Sequence, residues 1–202
     1  HRRESVKRRA LKPDERADWL RLARTPGVGP VTFAKLIERF ETPAAALDAL
    51  PRLAKRGGRV DPLKVVGRAQ AEDELARTEA LGARLLAACE PDYPERLAAI
   101  DPPPPVITTL GPLDASPDLA CALVGARSAS AVGMRFAGDL ARGLGERGVT
   151  VVSGLARGID GAAHAGALET GTIAVLAGGV ANVYPPEHDT LHRAIAERGL
   201  IV

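Results

Sequence analysis

The sequence predicts an α/β protein, with a parallel sheet in its second half behind a small all-helical domain. Three observations carry this. Beyond residue 118 short apolar runs alternate with helical stretches. Prolines crowd residues 91–105, and upstream of them apolar residues recur at helical spacing around a glycine turn. Aromatic residues make up only 3% of the 202, and Gly, Ala, Val, Leu and Arg dominate. That suits thin strands and close helix packing better than an aromatic-rich sandwich.

In chain order, residues 1–12 carry Arg2, Arg3, Lys7, Arg8, Arg9 and Lys12 against Glu4 alone. With so little to fold around, residues 1–18 are expected to be a flexible basic arm, either a phosphate-binding tail or a solvated leader. Residues 19–81 form the helical domain. Trp19, Leu20, Leu22 and Ala23 lead into Thr25-Pro26-Gly27-Val28-Gly29-Pro30, and Val31, Ala34, Leu36, Ile37 and Phe40 follow. This is a helix-hairpin-helix pattern, whose glycine amides either face a DNA phosphate or simply turn the chain between packed helices. A short apolar turn at 44–50 and a helix across 69–89, with Leu75, Leu81, Leu85 and Leu86, complete the reading, the domain ending near Leu81. Residues 90–94 and 101–105 are proline connectors that cannot be helix or central strand, and 106–110 suits a short edge strand.

Residues 82–202 make the second domain. Strands are expected at 119–124, 149–152 and 172–176, and helices at 130–147, 159–168 and 187–198. The first of these helices places Val132, Phe136, Leu140 and Leu144 on one face. Such alternation implies right-handed crossovers and a doubly wound parallel sheet, which binds ligands beyond the carboxyl ends of its strands, where strand order reverses. His1 is not an initiator methionine and residues 199–202 read as the start of a strand, so the chain is expected to come from a longer protein.

The net charge of +2 is too mild to indicate nucleic acid, so placement decides. Beyond residue 117 there is no lysine, and seven arginines face eight carboxylates, which excludes a broad basic face. Three glycine loops leave the strand ends: 125–130, 153–160 and 177–180. They supply the candidate anion-binding residues Gly125, Arg127, Ser128, Ser130, Ser153, Gly154, Arg157, Gly158, Gly178 and Gly179. Glycine permits close backbone approach, serine caps the following helix, and helix amino-termini favour anions. The guanidinium fork of Arg127 or Arg157 suits a phosphate, unless it pairs with a carboxylate such as Asp160.

Enzymatic patterns are missing. The first loop reads Gly-Ala-Arg-Ser-Ala-Ser rather than GxGxxG, and no GxxxxGK[ST] loop occurs, which argues against a nicotinamide enzyme and a P-loop nucleotidase. Asp160 with His164, and His188 with His192, stand at i, i+4 spacing. Neither pair has a third partner, so both read as structural, and no catalytic residue, metal or cofactor is expected. Cys89 and Cys121 fit no disulfide framework. With no apolar run of about 20 residues, a soluble cytoplasmic protein without membrane contact is expected.

Read together, Val124 to Ser130, the stretch Ser153-Gly154-Leu155-Ala156-Arg157-Gly158-Ile159-Asp160, His164, Ala174 to Gly179 and Val183-Tyr184-Pro185 closely resemble the DNA-processing protein A (DprA/Smf) family. Tyr93-Pro94-Glu95-Arg96-Leu97, Asp101-Pro102 and the Pro-Gly-Val-Gly hairpin add to the resemblance, which covers nearly everything after Trp19. It implies an extended Rossmann-like fold behind a sterile-alpha-motif-like helical domain. It also implies single-stranded DNA binding without hydrolysis, delivery of that DNA to the RecA recombinase in natural transformation, and a homodimer in the full-length protein. Arg127 matches the family's DNA-binding arginine. Ala126 replaces the usual serine or threonine, and Pro186 stands where many relatives place a DNA-binding lysine. The chain stops before the family's later SE and FPxRNR motifs, so part of the sheet and of the dimer interface is expected to be missing. The alternative is a related phosphoribohydrolase of nucleoside monophosphates. Its PGGxGT loop and glutamate are absent, Gly178-Gly179 being followed by Val180-Ala181-Asn182.

Overall fold

The computed structural model describes residues 8–56, 63–112 and 114–202, which fall into two compact units. The first comprises His1–Ala80 with Leu85–Ile107, and the second Leu81–Arg84 with Thr108–Val202.

In the first unit, helices α1 (Pro13–Arg24), α2 (Pro30–Phe40), α3 (Pro43–Arg56) and α4 (Arg68–Ala80) precede β1 (Arg84–Ala87), the short α5 (Glu95–Ala98) and β2 (Val106–Thr109), of which Arg84, Thr108 and Thr109 are counted in the second unit. Helix α1 begins inside the stretch expected to be an arm. Proline suits its first turn, Asp14 and Glu15 complement its dipole, and the Glu15 carboxylate accepts from the Lys12 amide and from both ends of the Arg9 fork. Leu11 is buried and the Arg9 amide donates to the Cys89 carbonyl, so this basic segment has an apolar anchor. Of the expected arm, residues 1–7 lie outside the described residues.

At the hairpin Gly27 takes φ 90°, a conformation other residues rarely adopt. Buried Thr25 donates its hydroxyl to the Arg21 carbonyl, and Trp19 packs across the turn on Phe33 with ring centroids 4.9 Å apart. The helix expected to reach Cys89 stops at Ala80, because Gly82 turns left-handed at φ 70° and the chain re-enters as β1. Residues 85–107 are not a loose connector. Glu90 is buried, and its carboxylate accepts from the amides of Leu11 and Ala87 and pairs with Arg16. The Trp19 indole and the Tyr93 hydroxyl donate to the carbonyls of Pro105 and Pro104, both at 2.8 Å.

The second unit runs β3 (Ala120–Ala122), α6 (Ala131–Gly145), β4 (Thr150–Ser153), α7 (Ile159–Ala167), β5 (Thr172–Ala174), a 3-10 turn (Pro186–His188), α8 (Asp189–Arg198) and β6 (Leu200–Ile201). The strands lie in the order β3-β4-β5-β6, all parallel, with Ala122 opposite Val152, Ser153 opposite Ala174 and Ala174 opposite Ile201. Leu110 adds an antiparallel bridge to Ile201. Order follows sequence, so among the described strands the sheet is singly wound, with no reversal point. Right-handed crossovers then carry α6, α7 and α8 over one face. The expectation of double winding needs a strand on the other side of β3.

Helices α6 and α7 meet backbone to backbone. A Cβ on Gly166 would overlap the Gly138 carbonyl, and Ala137, Ala141, Ala163 and Ala167 are buried beside them. Val132, Phe136 and Leu140 do share a face of α6, as the periodicity predicts, but that face is exposed, at 79%, 68% and 40%. The buried stripe is the alanine one, because only small residues permit this approach.

Behind the sheet, His164 is fully buried with Nδ1 2.8 Å from the Thr172 hydroxyl, which itself donates to the Val151 carbonyl. Because that hydroxyl is already spent as a donor, the imidazole donates to it from Nδ1. Burial pushes its pKa down to about 4, against a smaller opposing pull from Asp160.

Two outcomes are expected. Gly166→Ala should cost roughly 1–3 kcal/mol by forcing α6 from α7, whereas Gly143→Ala, whose Cβ would meet nothing closer than the Arg147 side chain at 3.6 Å, should be neutral or slightly stabilising. Urea titration of both variants measures this. Unfolding exposes His164 to protonation near its ordinary pKa while the folded state resists it down to about 4. Its contribution is thus complete above about pH 6.5 and is lost on acidification towards pH 4, on the order of 3 kcal/mol in all. Melting temperature should fall over that window, and His164→Gln should flatten the fall.

Candidate nucleic-acid interface

Because the strands are parallel and in register, the segments after β3, β4 and β5 leave the same edge of the sheet. The first and second loops touch through their backbones at Gly158. It takes φ 77°, and a Cβ there would overlap the Ala126 carbonyl and stand 2.7 Å from that of Arg127. The Ile159 amide donates to the Ala126 carbonyl, and the Ile159 side chain fills the place a Cβ on Gly125 would need. The third loop closes on the second through His188, whose Nδ1 lies 2.9 Å from the Leu155 carbonyl. Leu155 is fully buried at φ 55°, a left-handed conformation rare for leucine, held at the centre of the loop between Gly154 and Arg157.

The two helix amino-termini on this edge differ. At α6, the Ser130 side chain accepts from the Gly133 amide and the Ser130 carbonyl from that of Met134. The amides of Ala131 and Val132 have no partner among the described residues, and the first turn carries no carboxylate. At α7 the Ile159 and Gly161 amides already donate to Ala126 and Ala156. The buried Asp160 carboxylate sits in the first turn and accepts from the Gly154 amide at 3.2 Å. An incoming anion would meet free donors and a positive dipole at α6, and a resident carboxylate at α7.

The sequence-predicted residues divide accordingly. Gly125, Arg127, Ser128 and Ser130 are exposed around the open end of α6, and among the described residues Arg127 has no ion-pair partner. Gly158 is the contact between loops. Ser153 is buried with its hydroxyl donating to the Leu123 carbonyl, and the Gly154 amide is taken by Asp160, so both support the loop from within. Gly178 and Gly179 are exposed on the third loop, Gly179 at φ 88°. Arg157 is exposed but occupied. It pairs with Glu187 rather than Asp160, through a short Nε–Oε1 contact and an Nη2–Oε2 contact of 3.2 Å, and this guanidinium holds the Glu187 carboxyl down at about 2. His188 and His192 do not converge: His192 Nε2 lies 2.9 Å from the Val180 carbonyl.

Sequence reasoning missed Glu187, thirty residues from Arg157, and Tyr184, which is 61% exposed and near enough to Arg157 to bear on its guanidinium. No spacing rule links positions so far apart.

The family model described as DNA recombination-mediator protein A matches residues 84–202, and that of the DprA-like N-terminal HHH domain matches 13–77. The chain belongs to the DNA recombination-mediator protein A family. The Smf protein of Synechocystis is 34% identical over 200 residues, which cover 93% of this chain and 50% of that protein. A DprA of Mycobacterium tuberculosis is 51% identical over 102 residues, covering 48% of this chain and 26% of that one. The chain thus spans about half the length of its Synechocystis relative. Among solved structures, the DprA of Streptococcus pneumoniae superposes with a TM-score of 0.68 at 23% identity, covering 91% of this chain and 66% of that one. The Helicobacter pylori DprA, described for its single-stranded DNA binding mode, gives 0.52 at 28% identity over 59% and 54%. The helix-hairpin-helix domain and the parallel α/β domain are therefore family features, as the sequence predicts. No helix among the described residues is long and apolar enough to cross a membrane.

Gly158→Ala should cost roughly 2 kcal/mol or more, because both its left-handed backbone and its contact with the first loop exclude a Cβ. Thermal unfolding of this variant beside Gly179→Ala, whose φ is also positive but whose Cβ would meet nothing within 4 Å, should show the larger loss at Gly158.

Proposed function

We propose that this edge binds the sugar-phosphate backbone of single-stranded DNA, with Arg127 as its main cation. The observation that carries the reading is the open amino-terminus of α6. An exposed arginine and two amides, all without a partner among the described residues, stand together at the carboxyl edge of a parallel sheet. The ligand class is supported by the H. pylori relative, described as binding single-stranded DNA. The rim of this reading comprises Gly125, Arg127, Ser128, Ser130, Gly178 and Gly179, with Arg157 second and Ser153, Gly154 and Gly158 shaping it. In the whole protein the DNA would be protected and passed to RecA during transformation or recombination. That protein would be a cytoplasmic homodimer acting without catalysis, its helical domain spanning residues 19–81 and its Rossmann-like domain beginning at residue 82.

Few phosphates can be engaged by so few cations. A labelled oligonucleotide titrated across a salt series should show log affinity falling by about 0.7 per neutralised phosphate for each unit of log salt. Arg127→Ala should weaken binding roughly tenfold for all sequences alike and shrink that slope. Arg142→Ala, which removes an arginine paired with Asp139 on the exposed side of α6, should change neither. Equal losses in the two variants, or none in Arg127→Ala, would sink the reading.

A further inference from the structure

We propose that Glu187 is a built-in competitor for the DNA phosphate, occupying the Arg157 fork in the free protein and restraining affinity at this edge. The inference rests on the reading of the rim as a single-stranded DNA site. Arg157 presents Nε and Nη2 to the two carboxylate oxygens of Glu187, the two-pronged arrangement in which a guanidinium also receives two phosphate oxygens. A phosphate cannot take that fork until the carboxylate leaves it.

Both side chains are about half exposed, so the exchange meets no steric barrier. The Arg157 guanidinium holds the Glu187 carboxyl at about 2, so the competitor stays charged at any pH at which the protein works. Displaced, Glu187 remains anchored beside the fork. Its neighbour His188 is tied to the Leu155 carbonyl and Pro185 is buried, so the released charge stays close to the phosphate that replaced it. Arg157 and Glu187 together add no net charge to the edge, which leaves Arg127 as the cation that attracts DNA. Discrimination follows: a weakly placed anion does not open the pair, whereas a strand already held by Arg127 and the α6 amides brings its next phosphate to the fork at high effective concentration.

The test is a four-protein cycle of wild type, Glu187→Gln, Arg157→Ala and the double variant, titrated with a labelled oligothymidylate across a salt series. Each fold is verified by thermal melting. Glu187→Gln should tighten binding several-fold and steepen the salt slope by about 0.7, one more phosphate neutralised. Arg157→Ala should weaken wild-type binding, though less than Arg127→Ala does, because the fork is engaged only after Glu187 leaves it, and Glu187→Gln should add little further in the Arg157→Ala background. Glu169→Gln removes the same charge from a pair with Arg198 beyond the far end of α7, and should leave binding unchanged. Weaker binding by Glu187→Gln would make Glu187 a residue that aims Arg157 and would overturn the proposal. So would no effect, or equal tightening by Glu187→Gln with and without Arg157. Failure of the site reading itself is distinguishable, since it appears as unaltered binding in Arg127→Ala.

Discussion

The contact on which the rest of the second unit depends is the one between Gly158 and the carbonyls of Ala126 and Arg127. Two loops that follow different strands are pressed backbone to backbone there. The approach is possible only because one of them carries no side chain and turns through a left-handed conformation. From that contact the Ile159 amide reaches the Ala126 carbonyl, α7 starts at a set height, and its small-residue face meets α6 at Gly138 and Gly166. Leu155 is held in an unfavourable conformation inside the same loop, buried and tied through its carbonyl to His188. Glycine at two crossings thus sets the positions of three loops.

Electrostatics at the edge is a matter of which partners are already taken. Two helix amino-termini leave the same edge, yet Asp160 and the Ala126 carbonyl occupy one, while at the other two amides and an arginine find no partner among the described residues. With seven arginines against eight carboxylates beyond residue 117, the domain has no general attraction for a polyanion. Its field is focused at the start of α6. Pairing of Arg157 with Glu187 sharpens that focus, because it removes the second cation from the free protein's balance.

The first unit obeys a different rule. Between the paired strands β1 and β2, residues 88–105 are rich in proline and form no strand of their own. They dock instead by offering carbonyls to buried donors, Pro105 to the Trp19 indole and Pro104 to the Tyr93 hydroxyl, and by burying Glu90 against two amides and Arg16. Family matches divide the chain between residues 77 and 84, whereas compactness assigns 85–107 to the helical unit. Descent follows the order of segments along the chain, and compactness follows where the buried donors lie.

By itself the sequence determined what local chemistry can specify. The period of apolar residues marks the helices, Gly27 and Gly29 mark the hairpin, and the glycine loops at 125–130 and 153–160 mark the ligand edge, with a motif specific enough to indicate the family. Periodicity cannot say which stripe is buried, however. On α6 the larger residues Val132, Phe136 and Leu140 are exposed and the alanines packed, because the distance between helices is set by the partner's glycines rather than by the helix's own hydrophobicity. Nor does spacing reveal that Ser153 and Gly154 spend their polar groups inside the loop, or that a carboxylate at 187 closes on an arginine at 157. Those are consequences of a parallel sheet that gathers distant segments at one edge. Only the tertiary structure decides which charges there find each other and which are left to meet a ligand.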